Sequence, residues 1–359
     1  MAQSESASAG SAVRRKVLLA RFSAIGDVAM TIPVVYSACR CYPETRFTMV
    51  TRPSMTAMFV NAPENLTVVG ADVKNDYRGI GGMRRLVAEM VRDYDIDTFI
   101  DLHDVLRTRL MGLWCRLRGI RVARIDKARA RRRALTRRNN KVLLPLMSQR
   151  ERFREAFVRA GLPVDAHFDG LFGGRGASDS AVFVAITAPK QSGERWIGIA
   201  PFAAHSGKIY PPEQMYRVVE KLAAVPGAKI FLLGGGGEEQ RTLESWADRL
   251  PAVVSLAGKR YGFAVELALF NHLDVMLTMD SANMHLAAIA STPTVSIWGA
   301  THPYCGFIGW RQSESDTVQL PMTCRPCSIF GNKPCRRGDY LCLSAIKPEV
   351  VYNKVMEKL

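Results

Sequence analysis

The sequence predicts an α/β protein built from two doubly wound parallel-sheet domains, and three observations carry that expectation. Short, almost wholly apolar runs alternate with longer helical patterns, as when helices cover both faces of a parallel sheet. Near the middle, from about 163 to 194, the alternation gives way to "PVDAHFDGLFGGRGASDS" and "TAPKQSGER", rich in Gly, Ser, Asp and Pro. A chain of 359 residues is also long for one core and suits two.

In the first half the strand candidates are "KVLLARF", "RFTMVTR", "LTVVG" and "DTFIDLH", with helical pattern between them. Pro33 places a helix start near Thr31 and Ile32, because a missing N–H costs little in the opening turn. Asp27 is then expected in the connection after the first strand. The second half alternates more regularly. "WIGIAPF", "KIFLLGG", "AVVSLAG", "DVMLTMD" and "PTVSIWG" read as strands, and "PPEQMYRVVEKLAAV", "EEQRTLESWADRL", "FAVELALFNH" and a short segment from Asn283 as helices. The expected organisation is a disordered leader at 1–14, an N-terminal Rossmann-like domain at 15–165, a linker at 166–194 and a C-terminal Rossmann-like domain at 195–359, facing across a cleft.

Hydrophobic residues make up 48% of the chain, yet no run approaches the roughly 18–20 apolar residues of a membrane span. The small, polar N-terminus lacks a signal-peptide core, so a cytoplasmic chain is expected. Net charge is +16, and it is concentrated: between Arg107 and Lys141 fourteen Lys or Arg face one acid, Asp126. Such a block attracts phosphates of nucleic acid, anionic lipid or a phosphorylated glycan, unless it is only a solvated loop. Trp114 is its sole aromatic residue, which gives little support to base stacking.

Ligands of open α/β sheets bind outside the carboxyl ends of the strands. The unusual residues of this chain collect there. Asp27 follows the first strand, Lys208 follows "WIGIAPF", the run "GGGGE" at 234–238 follows "KIFLL", and "DSANMH" follows "DVMLTM". Gly235 and Gly236 let backbone amides approach a ligand, Lys208 supplies a point charge, and Ser281 with the first helical amides suits a diphosphate. Each has a plainer reading: glycines turn chains, Asp280 can be an N-cap, and His285 a buried, satisfied histidine. The acids of "DYDID" at 93–97, in Asp-x-Asp spacing, precede a strand and are expected to be solvated.

"SAIGDVAMTIPV", "DLHDVLRTRL", "PFAAHSGKIYPPEQMYRV", "LLGGGGEEQ", "DSANMHLAAIASTPTVSIWGATHP" and "CRPCSIFGNKPCRRGDYLC" together resemble, in order, the landmarks of glycosyltransferase family 9, over roughly residues 16–358. These are the lipopolysaccharide heptosyltransferases. The resemblance implies the two-domain GT-B fold and inverting, metal-independent transfer of a heptose from ADP-heptose to a sugar of the lipopolysaccharide inner core. It assigns the general base to Asp27, the diphosphate cation to Lys208, donor contacts to Asp280, Ser281, Ala282 and His285, the ribose acid to Glu238 and a nucleoside-pocket wall to Tyr261. Candidates for acceptor or phosphate contacts are Ser23, Arg107, Arg131, Arg132, Arg133, Arg137 and Arg138. The chain departs from the family pattern at Ala282, where Gly is usual, at Ala203 and Ala204, where hydroxyl residues are usual, and at His103-Asp104, in place of Gln-Gly.

The partners so implied are a nucleotide-sugar donor, a lipid-anchored phosphorylated core glycan and the anionic cytoplasmic face of the inner membrane, with no nucleic acid and no cofactor beyond the donor. Competing readings are a nucleotide-sugar epimerase on the same fold and a phosphate- or nucleic-acid-binding protein acting through residues 107–141. Cys324, Cys327, Cys335 and Cys342, spaced C-x2-C-x7-C-x6-C in the tail at 324–342, are compatible with a structural zinc or with plain thiols. Cys39, Cys41, Cys115 and Cys305 read as small hydrophobes.

Overall fold

A computed structural model describes residues 15–359, so the expected leader at 1–14 lies outside the described residues. The first half runs β1 (Lys16–Ala20), α1 (Ile25–Ala29), α2 (Ile32–Cys41), β2 (Arg46–Thr51), β3 (Leu66–Gly70), α3 (Gly79–Tyr94), β4 (Thr98–Asp101), α4 (Leu106–Arg116), β5 (Arg121–Arg124), α5 (Arg129–Leu135) and α6 (Gln149–Arg159). Its strands are all parallel in the order β3-β2-β1-β4-β5. The second half runs β6 (Arg195–Ala200), α7 (Pro212–Ala223), β7 (Ala228–Leu232), α8 (Glu238–Ala247), β8 (Val253–Ser255), α9 (Phe263–His272), β9 (Val275–Met279), α10 (Ala282–Ile289), β10 (Thr294–Trp298), β11 (Thr317–Gln319), α11 (Leu341–Ser344) and α12 (Pro348–Met356). These strands too are parallel, in the order β11-β10-β9-β6-β7-β8.

Burial explains which strands the sequence announces. Every residue of β9 and β10 is buried, so both read as unbroken apolar runs. The edge strands β5, "RVAR", and β11, "TVQ", cover one side only and carry charged or polar residues, and the apolar pattern misses them. Pro33 does sit in the opening turn of α2, with Thr31 as its N-cap. The connection expected around Asp27 is instead the short helix α1, in which Asp27 is the third residue.

The stretch 166–194 contains only a short 3-10 turn, Ser180–Phe183, and is largely exposed but anchored by a few buried side chains. Phe183 meets Trp196 and His272 edge-on, and Phe168 meets Trp310. One hydrophobic cluster runs through both halves, from Val17 and Phe47 to Trp196 and Phe270. Where the halves meet, α1 lies directly on α10. A Cβ added at Gly26 would sit 2.7 Å from His285 Cδ2 and 3.2 Å from the Ala282 Cα, so only glycine permits this approach. Among the described residues no helix is long and apolar enough to cross a membrane.

Candidate active site

Three adjacent strands of the second sheet, β9, β6 and β7, end beside one another and deliver the expected donor-side residues. Lys208 follows β6 in a single 3-10 turn, and its Nζ lies 2.8 Å from Oδ2 of Asp280, the residue after β9. The Thr301 hydroxyl, carried beyond β10, donates to the same oxygen at 2.8 Å. Asp280 is therefore no N-cap. That position falls to Ser281, whose side chain caps nothing and lies 3.2 Å from the Thr278 hydroxyl, so the opening amides of α10 have no side-chain acceptor. The stem of Lys208 runs over Gly331 (φ +74°), where a Cβ would lie 2.7 Å from Cγ, and the tail thus wraps the lysine.

His285 is buried one turn into α10, with Ala282 behind it on the same face. Burial pushes its imidazole down to about 4 against the opposing pull of Asp280 and Asp27, so the ring is neutral at pH 7. Its Nδ1 is buried and has no partner. The glycine run links β7 to α8. Gly235 donates its N–H to Glu239 Oε2 at 2.7 Å, while Glu238, the expected ribose acid, opens α8 exposed to solvent and Gly236 is free on the surface. Tyr261 stands half-buried just before α9, against the shared core.

Facing this, the ends of β1 and β4 build the first-half side. Arg21, 5% exposed, anchors the loop after β1. Its Nε donates to the Ser23 carbonyl at 2.8 Å, Nη1 to the Leu102 carbonyl at 2.7 Å, and Nη2 lies 2.9 Å from Asp27 Oδ1. Ala24 N–H donates to the other Asp27 oxygen at 3.2 Å. Burial alone would raise the Asp27 carboxyl, but Arg21 and this N–H outweigh it and hold it below the usual value. The carboxylate keeps 22% of its side-chain surface, enough for a ligand to reach it.

The loop after β4 is fixed by buried Asp101, which accepts the N–H groups of His103 and Asp104 at 2.9 and 2.8 Å. His103, pushed down to about 3 by burial and by Arg21, is a neutral ring with Nε2 3.4 Å from the Ser23 hydroxyl. Asp104 has φ +50°, the left-handed region that explains why a glycine is usual there. Here the carboxylate offsets the strain by gathering Arg109 and Arg129, each at 2.7 Å.

Asp27, Arg21, Ser23 and His103 open onto a cavity of about 460 Å³, whose remaining wall is basic and aromatic. The guanidinium of Arg132 stands 5.6 Å from the Phe307 ring and 5.7 Å from the Phe330 ring, both from the second half. Burial, then Arg152, pushes Arg132 down to about 10, and its Nε has no partner. Arg152, 2% exposed, has Nε and Nη2 unpartnered as well. Guanidinium nitrogens left without hydrogen-bond partners suit an anionic ligand.

The acceptor-side expectations are thus redistributed. Ser23, Arg132 and Arg133 line the cavity, whereas Arg107, Arg131, Arg137 and Arg138 are exposed and outside it. His103, noted in the sequence only as a departure from the family pattern, lines it, and so do Arg21, Lys127, Arg129, Gln149 and the two phenylalanines, which the sequence did not point to. Adjacent arginines on a helix point in different directions, and composition alone cannot say which turns inward.

Cys324 and Cys335 are half-buried and Cys327 and Cys342 buried, all free thiols, and among the described residues no group of three or more His, Cys, Asp or Glu is placed to hold a metal ion. The tail is stitched instead by buried Arg325, which donates to the carbonyls of Gly299, Leu320, Trp298 and Thr301. Cys39, Cys115 and Cys305 are buried as expected, but Cys41 is exposed. The carboxylates of Asp93, Asp95 and Asp97 are solvated, as their place before β4 predicts.

Two facing parallel-sheet domains, with the Asp27 carboxylate on one side of the cleft and Lys208 on the other, have the GT-B architecture. The chain belongs to glycosyltransferase family 9 (heptosyltransferase), whose family model matches residues 84–329. It is similar to the lipopolysaccharide heptosyltransferase 1 of Pseudomonas aeruginosa, with 23% identity over 372 residues, 95% of this chain and 97% of that protein. Among solved structures it resembles a family 9 glycosyltransferase from Veillonella parvula (TM-score 0.71, 15% identity, 96% of both chains). It also resembles the Escherichia coli heptosyltransferase WaaC with ADP (TM-score 0.64, 19% identity, 96% of this chain and 99% of that one).

Proposed function

We propose that this glycosyltransferase moves a heptose from ADP-heptose to a sugar of the lipopolysaccharide inner core, with inversion and without a metal, at the cytoplasmic face of the inner membrane. The observation that carries the reading is Asp27, a part-exposed carboxylate fixed by Arg21 in the wall of a basic cavity and within the electrostatic reach of His285, the donor-side histidine that Asp280 also reaches. The relatives' names supply the sugar and the acceptor.

In this reading the acceptor lies in the cavity, its anionic groups toward Arg132, Arg133 and Lys127, and its hydroxyl against Asp27. The carboxylate takes the hydroxyl proton as the oxygen attacks the anomeric carbon, from the face opposite the departing diphosphate. A single displacement inverts that carbon. As the bond to the diphosphate breaks, negative charge grows on its oxygen, and Lys208 with the free amides of α10 receives it. Asp280 orients the lysine and offers its remaining lone pairs to sugar hydroxyls. Glu238, Tyr261, Gly235 and Gly236 form the nucleoside end.

The test is direct: purified protein, ADP-heptose and de-acylated core acceptors, with ADP release and the anomeric configuration of the product followed by NMR. Inverted product, formed equally in excess chelator, is expected. Retained configuration, loss of activity with chelator, or an epimerised free sugar would each overturn the corresponding part of the reading.

A further inference from the structure

Helix α4 carries a feature that transfer chemistry does not use. Its inner face, Thr108, Met111, Gly112 and Cys115, is buried on the sheet, with Gly112 close against Phe99 and Val122. The opposite face repeats leucine at 106, 110, 113 and 117, the i, i+4, i+7, i+11 spacing of a single helical stripe. Leu106 is 74% exposed, Leu113 48% and Leu117, the C-cap of the helix, 66%, while Leu110 between them is half-buried and packs against the first-half core. Scattered exposed leucines are ordinary, but four in register are not.

We propose that this leucine ridge, with the arginines that rim it, is the surface by which the enzyme lies on an anionic lipid bilayer. Exposed Arg116 flanks one side of the stripe and Arg107 the other, with Arg118 just beyond its end; Arg109, on the Arg116 side, is paired with Asp104, and residues 106–118 contain no acid. A helix in the interface plane needs that combination: leucines that enter the acyl boundary and long cationic side chains that remain among the headgroups. A second copy of the chain would bring arginine against arginine. Nucleic acid would leave the leucines in water. Leu106 lies three residues beyond His103, which lines the acceptor cavity.

The inference rests on the reading that the acceptor is lipid-anchored, and it places the membrane contact on α4 rather than on Arg132 and Arg133, which line the cavity. The experiment uses the full chain with vesicles of phosphatidylethanolamine and phosphatidylglycerol, against vesicles of phosphatidylcholine alone. Wild type is expected to sediment only with the anionic vesicles. Leu106→Gln/Leu113→Gln/Leu117→Gln should lower that partition at least tenfold while thermal unfolding and transfer to a soluble acceptor stay unchanged. Arg116→Gln/Arg118→Gln should lower it too, and added salt should imitate the arginine change more than the leucine change. Three outcomes overturn the proposal: a triple leucine variant that partitions like wild type, equal binding to neutral vesicles, or a wild-type dimer in sedimentation velocity that the leucine changes dissolve. Inactivity toward the soluble acceptor in wild type would instead count against the proposed reaction and leave the vesicle result standing.

Discussion

Arg21 Nη2 lies 2.9 Å from Asp27 Oδ1, and the same guanidinium holds the carbonyls of Ser23 and Leu102, so one buried cation both charges and aims the carboxylate. Asp27 is thereby held below 3.8, the usual value, although burial would raise it. A base that must be ionised loses activity as pH falls through its own pKa. Arg21→Gln removes the largest of the pulls that oppose burial, so the acid limb of kcat/KM should move to higher pH, with kcat reduced about tenfold or more. Arg21→Lys should shift it less. The pH–rate profile is the check, and an unmoved limb would detach Arg21 from the base. The contact's share of stability has the corresponding sign: present above the ordinary carboxylate range and lost as pH falls through the lowered value.

Asp27→Asn keeps the shape of the side chain and removes its proton affinity. Transfer should fall by about 10² or more while ADP binding, measured by calorimetry, stays within threefold. Retained turnover would remove Asp27 from the mechanism.

Lys208 and Asp280 are both largely buried, and each is the other's counter-charge. Lys208→Ala should lower kcat more than it weakens donor binding if charge grows on the leaving diphosphate. It should also cost about 3–5 kcal/mol of stability by stranding Asp280. Pairing it with Asp280→Asn should restore much of that stability but none of the turnover, and a denaturant titration separates the two effects.

Arg132 faces two neighbouring phenylalanine rings, whose centroids are 5.8 Å apart, and has an unpartnered Nε. Arg132→Ala should raise the KM of an anionic acceptor about tenfold or more and leave the donor KM unchanged. Arg132→Lys should recover little, because a compact ammonium stacks poorly and cannot present a planar fork. An acceptor stripped of its anionic groups should make wild type and variant alike.

Burial pushes three histidines, His103, His285 and His302, down to about 3, 4 and 4. The unfolded chain binds their protons near the ordinary 6.5, so it takes up more protons than the folded chain between those values. Stability should therefore fall as pH drops from about 6.5 toward 4. Scanning calorimetry across that window checks this, and a Tm that does not change between pH 7.5 and 4.5 would contradict it.

What the sequence made legible follows the physics of burial. "DVMLTMD" and "DSANMH" stand out because a strand covered on both faces must be apolar and a polar seam at its end then needs a reason. "RVAR" hides β5, since an edge strand can carry charge. The triplet Arg131, Arg132, Arg133 could not be sorted, because the phase of α5 depends on where the helix starts, and α5 starts from Ala128 in the left-handed region. Phe307 and Phe330 reach the cavity from irregular loops with no periodicity to read. Of two adjacent glutamates, Glu239 is the one that turns back onto the glycine loop, a choice made by local geometry alone.

The cavity wall is drawn from both halves of the chain: Arg132 grows from α5, while Phe307 and Phe330 come from loops after β10. Any opening of the cleft that admits a nucleotide sugar parts those rings from the guanidinium and leaves the acceptor with half a binding site. Productive encounters should then be strictly sequential, donor first, with ADP competing against ADP-heptose but acting as a mixed inhibitor toward the acceptor.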